Sequence, residues 1–212
     1  SENGNHPDVG GGYPFEYALK QDVAAGDTIE VYDIISSTFL VAVEGKVVMT
    51  REALKINKKV DWWTIANIAG IPSALTISSD GDLAYVGTVS GKLYRIEGIS
   101  KAVTKELATD SLKTIVSTEI DSKVFNGQAI TSIAINPNDA NDVIVTLGDY
   151  GNENYVFRSN NGGTSFSAKQ GNLAAKPVYA SLIEKTEGKV FVGTEDGIFV
   201  SDDMNTWTNA GV

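Results

Sequence analysis

The sequence predicts an all-β chain built from four repeats of a four-stranded antiparallel unit, and three observations carry that expectation. Glycine outnumbers proline 21 to five in 212 residues, which suits many sharp turns between short elements. Apolar and polar residues alternate over stretches of strand length. One hairpin plan also recurs, with Val41, Val86, Val145 and Val192 at equivalent positions 45, 59 and 47 residues apart.

The elements follow in chain order. The hairpins are "FLVAVEGKVVMT" (39 to 50), "LAYVGTVSGKLYRI" (83 to 96), "VIVTLGDYGNENYVFRS" (143 to 159) and "VFVGTEDGIFVS" (190 to 201). In each, an alternating run enters a small loop of Gly, Asp, Glu or Asn and leaves by a second alternating run. A strand-like run precedes each hairpin, in "IEVYDII", "SALTISS", "ITSIAINP" and "VYASLIE". Polar turns such as "SSDGD" and "NPNDAND" make connections of this kind. Three units close with an aromatic-led run: "WWTIANI" from Trp62, "SFSAKQG" from Ser165 and "TWTNAG" from Thr206. The second unit is irregular. It has no aromatic-led fourth strand, its outer strand is expected near Leu112 to Thr118, and "KAVTKELA" reads as either a short helix or a twisted loop.

A four-stranded sheet this small cannot bury both faces alone, so units of this length stack radially as propeller blades. The fold class expected is therefore an all-β β-propeller of four-stranded antiparallel blades, with about four blades present as part of a larger propeller. Residues 1–27 read as a linker or face loop and 28–70 as the first blade. Residues 71–128 are the irregular blade with an insertion, 129–175 the third blade and 176–212 the fourth.

Composition narrows the function classes. A net charge of −10 disfavours wrapping a phosphate backbone, where Lys and Arg supply the affinity. It also disfavours an anionic lipid surface. Without cysteine there are no disulfides, thiolate metal sites or cysteine nucleophiles. No run reaches the roughly 18 apolar residues of a membrane span, so neither nucleic acid nor membrane insertion is expected. The single histidine, His6, rules out a Ser-His-Asp triad drawn from the rest of the chain and a metal site built on several histidines.

The stretch Ser159, Asn160, Asn161, Gly162, Gly163, Thr164, Ser165, Phe166 resembles the Asp-box, or bacterial neuraminidase repeat, whose pattern is Ser-x-Asp-x-Gly-x-Thr-Trp. Asn161 stands for Asp, Ser165 for Thr and Phe166 for Trp. A degenerate copy follows at Ser201, Asp203, Thr206 and Trp207, one residue shorter and without the glycine. The resemblance implies a fastening of the outer hairpin rather than a ligand grip. Side-chain oxygens can close an Asx-type turn, and glycine takes positive φ without a Cβ penalty. The chain from about residue 28 also resembles sortilin-like and photosystem-assembly-like propellers, including those of large proteins secreted by Bacteroidota-type bacteria through the type IX route. That likeness implies an extracellular, cell-surface or periplasmic location.

Catalytic readings are weaker. A sialidase grips a carboxylate with an arginine triad, and this chain has three arginines, Arg51, Arg95 and Arg158, all at or beside the third strand of a blade. A propeller glycosidase needs two converging carboxylates, for which Asp33, Asp149 and Glu195 sit near strand ends. The loop "LGDYGNENY" gathers Asp149, Asn152, Glu153 and Asn154, oxygen donors that suit calcium, although the EF-hand order is absent. Trp62 occupies the box hydroxyl position beside Trp63, and alternation turns it to the opposite face, where it reads as a ligand or partner contact. These residues point to a non-catalytic module that binds or scaffolds a protein or glycan, with no cofactor. The alternative is a fragment of a propeller glycoside hydrolase.

Overall fold

The computed structural model describes residues 38–53, 59–109, 113–120 and 123–211. The first sheet holds three described strands, β1 (Phe39–Val43), β2 (Lys46–Thr50) and β3 (Trp63–Asn67), paired in that order. The second contains β4 (Pro72–Ile77), β5 (Leu83–Thr88), β6 (Leu93–Glu97) and β7 (Val116–Ile120). The third contains β8 (Ile130–Asn136), β9 (Asp139–Leu147), β10 (Val156–Ser159) and β11 (Ser167–Ala168). The fourth contains β12 (Val178–Ile183), β13 (Val190–Thr194), β14 (Gly197–Ser201) and β15 (Thr208–Asn209). Every pairing is antiparallel between sequence neighbours, so each sheet is an up-and-down meander.

The repeated hairpins emerge in register. Val41 pairs with Val48, Val86 with Tyr94, Val145 with Phe157 and Val192 with Phe199. The segment preceding β1, "IEVYDII", lies outside the described residues, as do His6, Asp33 and the stretch 1–27. The outer strand of the second sheet begins at Val116, later than the expected start at Leu112. The residues just before it have other partners: Thr114 donates its amide to Leu107 (2.7 Å) and its hydroxyl to Gly98 (3.0 Å), while Ile115 enters the core. "KAVTKELA" resolves as a short helix, α1 (Lys105–Thr109).

The second strands of the inner sheets, β5 and most of β9, are buried on both faces. Every residue of β5 is buried, and so is β9 from Asp142 to Leu147, because a sheet flanked on either side has no solvent face. One apolar cluster joins the first two sheets through Val47, Met49 and Trp63 against Val86 and Ile96. A second joins the remaining sheets through Tyr85, Val145, Phe157, Val192 and Trp207.

The seams also carry a repeated polar fastening. The first strand of sheets two, three and four shifts register at the same place, between Pro72 and Ala74, Ile130 and Ser132, and Val178 and Ala180. The residue skipped by the ladder turns its side chain outward. Ser73 Oγ donates to the Ile130 carbonyl of the next sheet at 2.6 Å, and Thr131 Oγ1 donates to the Val178 carbonyl of the sheet after that. The third skipped residue is Tyr179, which is half exposed.

Candidate functional site

The β9–β10 loop and the β10–β11 turn lie at opposite ends of β10, so the array has two distinct ends. The β10–β11 turn is closed from inside. Ser159 Oγ donates to Asn161 Oδ1 (2.8 Å) and accepts from the Gly163 amide (2.8 Å), while Asn161 Oδ1 accepts from the Ser165 amide (3.0 Å). Gly163 has φ of +89°, and a Cβ there would stand 2.5 Å from Ile120 Cδ1. Phe166 then packs edge-on to Phe125 with centroids 5.1 Å apart. The β14–β15 turn repeats the scheme one residue shorter. Ser201 Oγ accepts from the Met204 amide (2.8 Å), and Asp203 Oδ1 accepts from the amides of Asn205 (2.8 Å) and Thr206 (2.9 Å). Met204 takes the left-handed conformation, φ 58°, in the missing glycine's place. The backbone amides from Thr206 and Asn205, with the Ser201 hydroxyl, hold the Asp203 carboxyl below its usual range. Trp207 is buried and donates Nε1 to the Lys169 carbonyl at 3.2 Å.

The opposite end gathers a polar and aromatic cluster from two neighbouring sheets. Tyr150, in the β9–β10 loop and 64% exposed, donates to Glu195 Oε2 at 2.5 Å. Lys176 reaches Glu195 Oε1 at 3.0 Å and Asp196 Oδ1 at 2.8 Å. Tyr179, 50% exposed, stands close enough to influence the Tyr150 phenol. The bond to Glu195 pushes that phenol up to about 12, so Tyr150 stays a hydrogen-bond donor at neutral pH. Tyr150 and Lys176 in turn hold the Glu195 carboxyl below its ordinary range.

The other sequence candidates separate. Asp149 takes φ of 41° and accepts the Ala129 amide through Oδ2 at 3.1 Å, which ties the loop to the preceding connection. Asn152 donates its amide to Tyr155 Oη at 3.0 Å. Glu153 and Asn154 share that loop. Among the described residues no three His, Cys, Asp or Glu side chains cluster as metal ligands. The arginines each hold a local partner: Arg51 bonds Thr38 and the Ile99 carbonyl, Arg95 pairs with Glu97 (3.0 Å), and Arg158 chelates Asp142 (2.6 and 2.8 Å). Trp62 is 45% exposed and stacks edge-on with the exposed Phe39 at 5.9 Å, while Trp63 is buried. The sequence reading missed Tyr150, Tyr179 and Lys176. Tyr150 sits between Asp149 and Gly151 in a hairpin loop, a position where a large aromatic side chain has nothing to pack beneath it.

No protein-family model matches the chain, and no curated protein matches it. Solved structures do. A chain of a nidogen/laminin complex aligns with TM-score 0.56 at 14% identity, over 81% of this chain and 60% of that one. A GH74 enzyme from Niastella koreensis aligns with TM-score 0.53 at 18% identity, over 80% of this chain and 27% of the enzyme. The chain has a β-propeller fold. An ancestral GH74 enzyme agrees, with TM-score 0.52 and 19% identity over 83% of this chain and 24% of its own. The propeller described here thus spans about a quarter of the two enzymes' length. Among the described residues no helix is long and apolar enough to cross a membrane.

Proposed function

We propose that this propeller is a non-catalytic binding module of a secreted or cell-surface protein, and that a protein or glycan docks on the face carrying Tyr150, Tyr179, Lys176, Glu195 and Asp196. One observation carries the reading: two exposed tyrosines from adjacent sheets flank an ion-paired cluster. Exposed aromatic rings offer a platform for sugar rings or partner side chains, and their phenols fix orientation. Glu195 does not suit the general-acid role of a glycoside hydrolase, because Tyr150 and Lys176 hold its carboxyl below the ordinary range. We read the β10–β11 and β14–β15 turns as Asp-box fasteners at the other end of the blades, supported by their shared Ser–Asx hydrogen bonding.

The test is affinity electrophoresis against a panel of soluble neutral β-glucans, with surface binding to immobilised extracellular-matrix proteins in parallel. The wild-type chain is retarded by at least one member of either panel, and Tyr150→Ala with Tyr179→Ala weakens that binding by about tenfold or more with an unchanged circular dichroism spectrum. Binding that ignores both substitutions would refute the assignment of the face. Release of reducing sugar would instead favour the hydrolase.

A further inference from the structure

Tyr85, Arg95 and Thr118 stand directly opposite one another across β5, β6 and β7, and so share one face of the second sheet. That face looks onto the β10–β11 turn of the third sheet. Between them lies a cleft of about 210 Å³ lined by Arg95, Thr118, Ile120, Gly162, Gly163 and Thr164. The guanidinium rests against Gly162, where a Cβ would come within 3.3 Å of Arg95 Cζ, so any larger residue would press on the cation. Arg95 gives Nη2 to Glu97 at 3.0 Å and is only 26% exposed, while its Nε is buried without an acceptor. Tyr85 Oη is buried against that guanidinium: burial, the larger effect, raises its phenol, and Arg95 draws it back down. A guanidinium carries five N–H donors, and with Glu97 as its one ion-pair partner among the described residues Arg95 keeps capacity at the cleft wall for an oxygen-rich ligand.

We propose that this cleft is a carboxylate-binding site, with Arg95 as the anchoring cation. The guanidinium fork matches a carboxylate in two-point contact, Thr118 lines the cleft beside it, and Ile120 gives an apolar wall for the ligand's body, while the Thr164 hydroxyl is already given to the Asn161 carbonyl (2.9 Å). Glu97 leaves the site with little excess positive charge in a chain of net charge −10, which favours a singly charged anion over a doubly charged phosphate. The site stands at the other end of β10 from the tyrosine face, and does not depend on the function proposed for that face.

Four probes decide it in a ¹⁵N-labelled chain: acetate, glucuronate, N-acetylglutamate methylamide and inorganic phosphate. At least one carboxylate shifts the Arg95 Nε–H and the Gly162 to Thr164 amides saturably, with Kd below about 10 mM. Arg95→Gln abolishes the shifts, and Arg95→Lys weakens them by about tenfold because the planar fork is gone. Glu97→Gln removes the internal competitor and tightens binding several-fold, a gain that misfolding cannot mimic. Glucuronate acting alone marks the ligand as a sugar acid; the glutamate derivative acting alone marks it as an acidic side chain. No saturable shift, shifts that survive Arg95→Gln, or phosphate binding more tightly than every carboxylate overturns the proposal.

Discussion

Asp142 shows what a single carboxylate contributes here. It is 4% exposed and accepts from Arg158 Nε (2.6 Å), Arg158 Nη2 (2.8 Å) and Asn136 Nδ2 (2.8 Å). Burial pushes its carboxyl up, but the Arg158 and Asn136 hydrogen bonds outweigh that and hold it below the usual range. Because the folded-state value is depressed, the stabilisation is complete above the ordinary Asp value near 4, and it fades as pH falls through the folded value. Asp142→Asn is expected to lower stability at pH 7 by about 1–3 kcal/mol, toward the low end because the guanidinium is partly exposed. The variant's urea midpoint should also vary less than the wild type's below about pH 4, and equal acid sensitivity would show that Asp142 carries no such linkage. At this scale the sequence spoke unevenly. Ser159, Asn161 and Gly163 were legible because their bonds close within a few residues. The Tyr85, Arg95 and Thr118 row was not, because strand register and the docking of a second sheet create it.

Among elements, the close approach of inner strands is the controlling geometry. A Cβ on Gly87 in β5 would sit 2.4 Å from Ile130 Cγ2 of β8, and Ile130 is fully buried. Gly87→Ala must therefore displace a core side chain at the seam. The expected cost is about 1–3 kcal/mol, read as a lowered urea midpoint, and an unchanged midpoint would mean that the seam repacks freely. The four hairpins could be read from period-two alternation alone. The outer strand of the second sheet could not be placed as well, since Thr114 and Ile115 look strand-like in sequence yet serve α1, Gly98 and the core. The bulges were invisible for a related reason. Ser73, Thr131 and Tyr179 are three different residue types, and only the pairing ladder shows that they hold one position.

Across the described residues, the second strands of the inner sheets are buried on both faces, whereas the fourth sheet leaves one face partly exposed. Ala180, Leu182, Phe191, Ile198 and Val200 share the face of that sheet turned away from the third, with Leu182 58% and Ile198 46% exposed. An apolar face of this kind should bind a hydrophobic dye in the folded chain. Leu182→Lys with Ile198→Lys is expected to reduce dye fluorescence while leaving the thermal midpoint within a few degrees. Undiminished fluorescence would place the dye elsewhere. The number of sheets was legible from repeat spacing, whereas which faces lie open depends on packing between units.

The skipped hydroxyls give the stack a direction. At both seams the skipped residue's hydroxyl donates forward, from the earlier sheet to the later, although at the second of them Ser181 and Trp207 donate back to Ser132 and Lys169. A unit inserted back to front would lose that repeated hydroxyl-to-carbonyl bond at both of its seams. Tandem copying of a whole unit carries both halves of the joint with it, so an array of this design can lengthen in complete units.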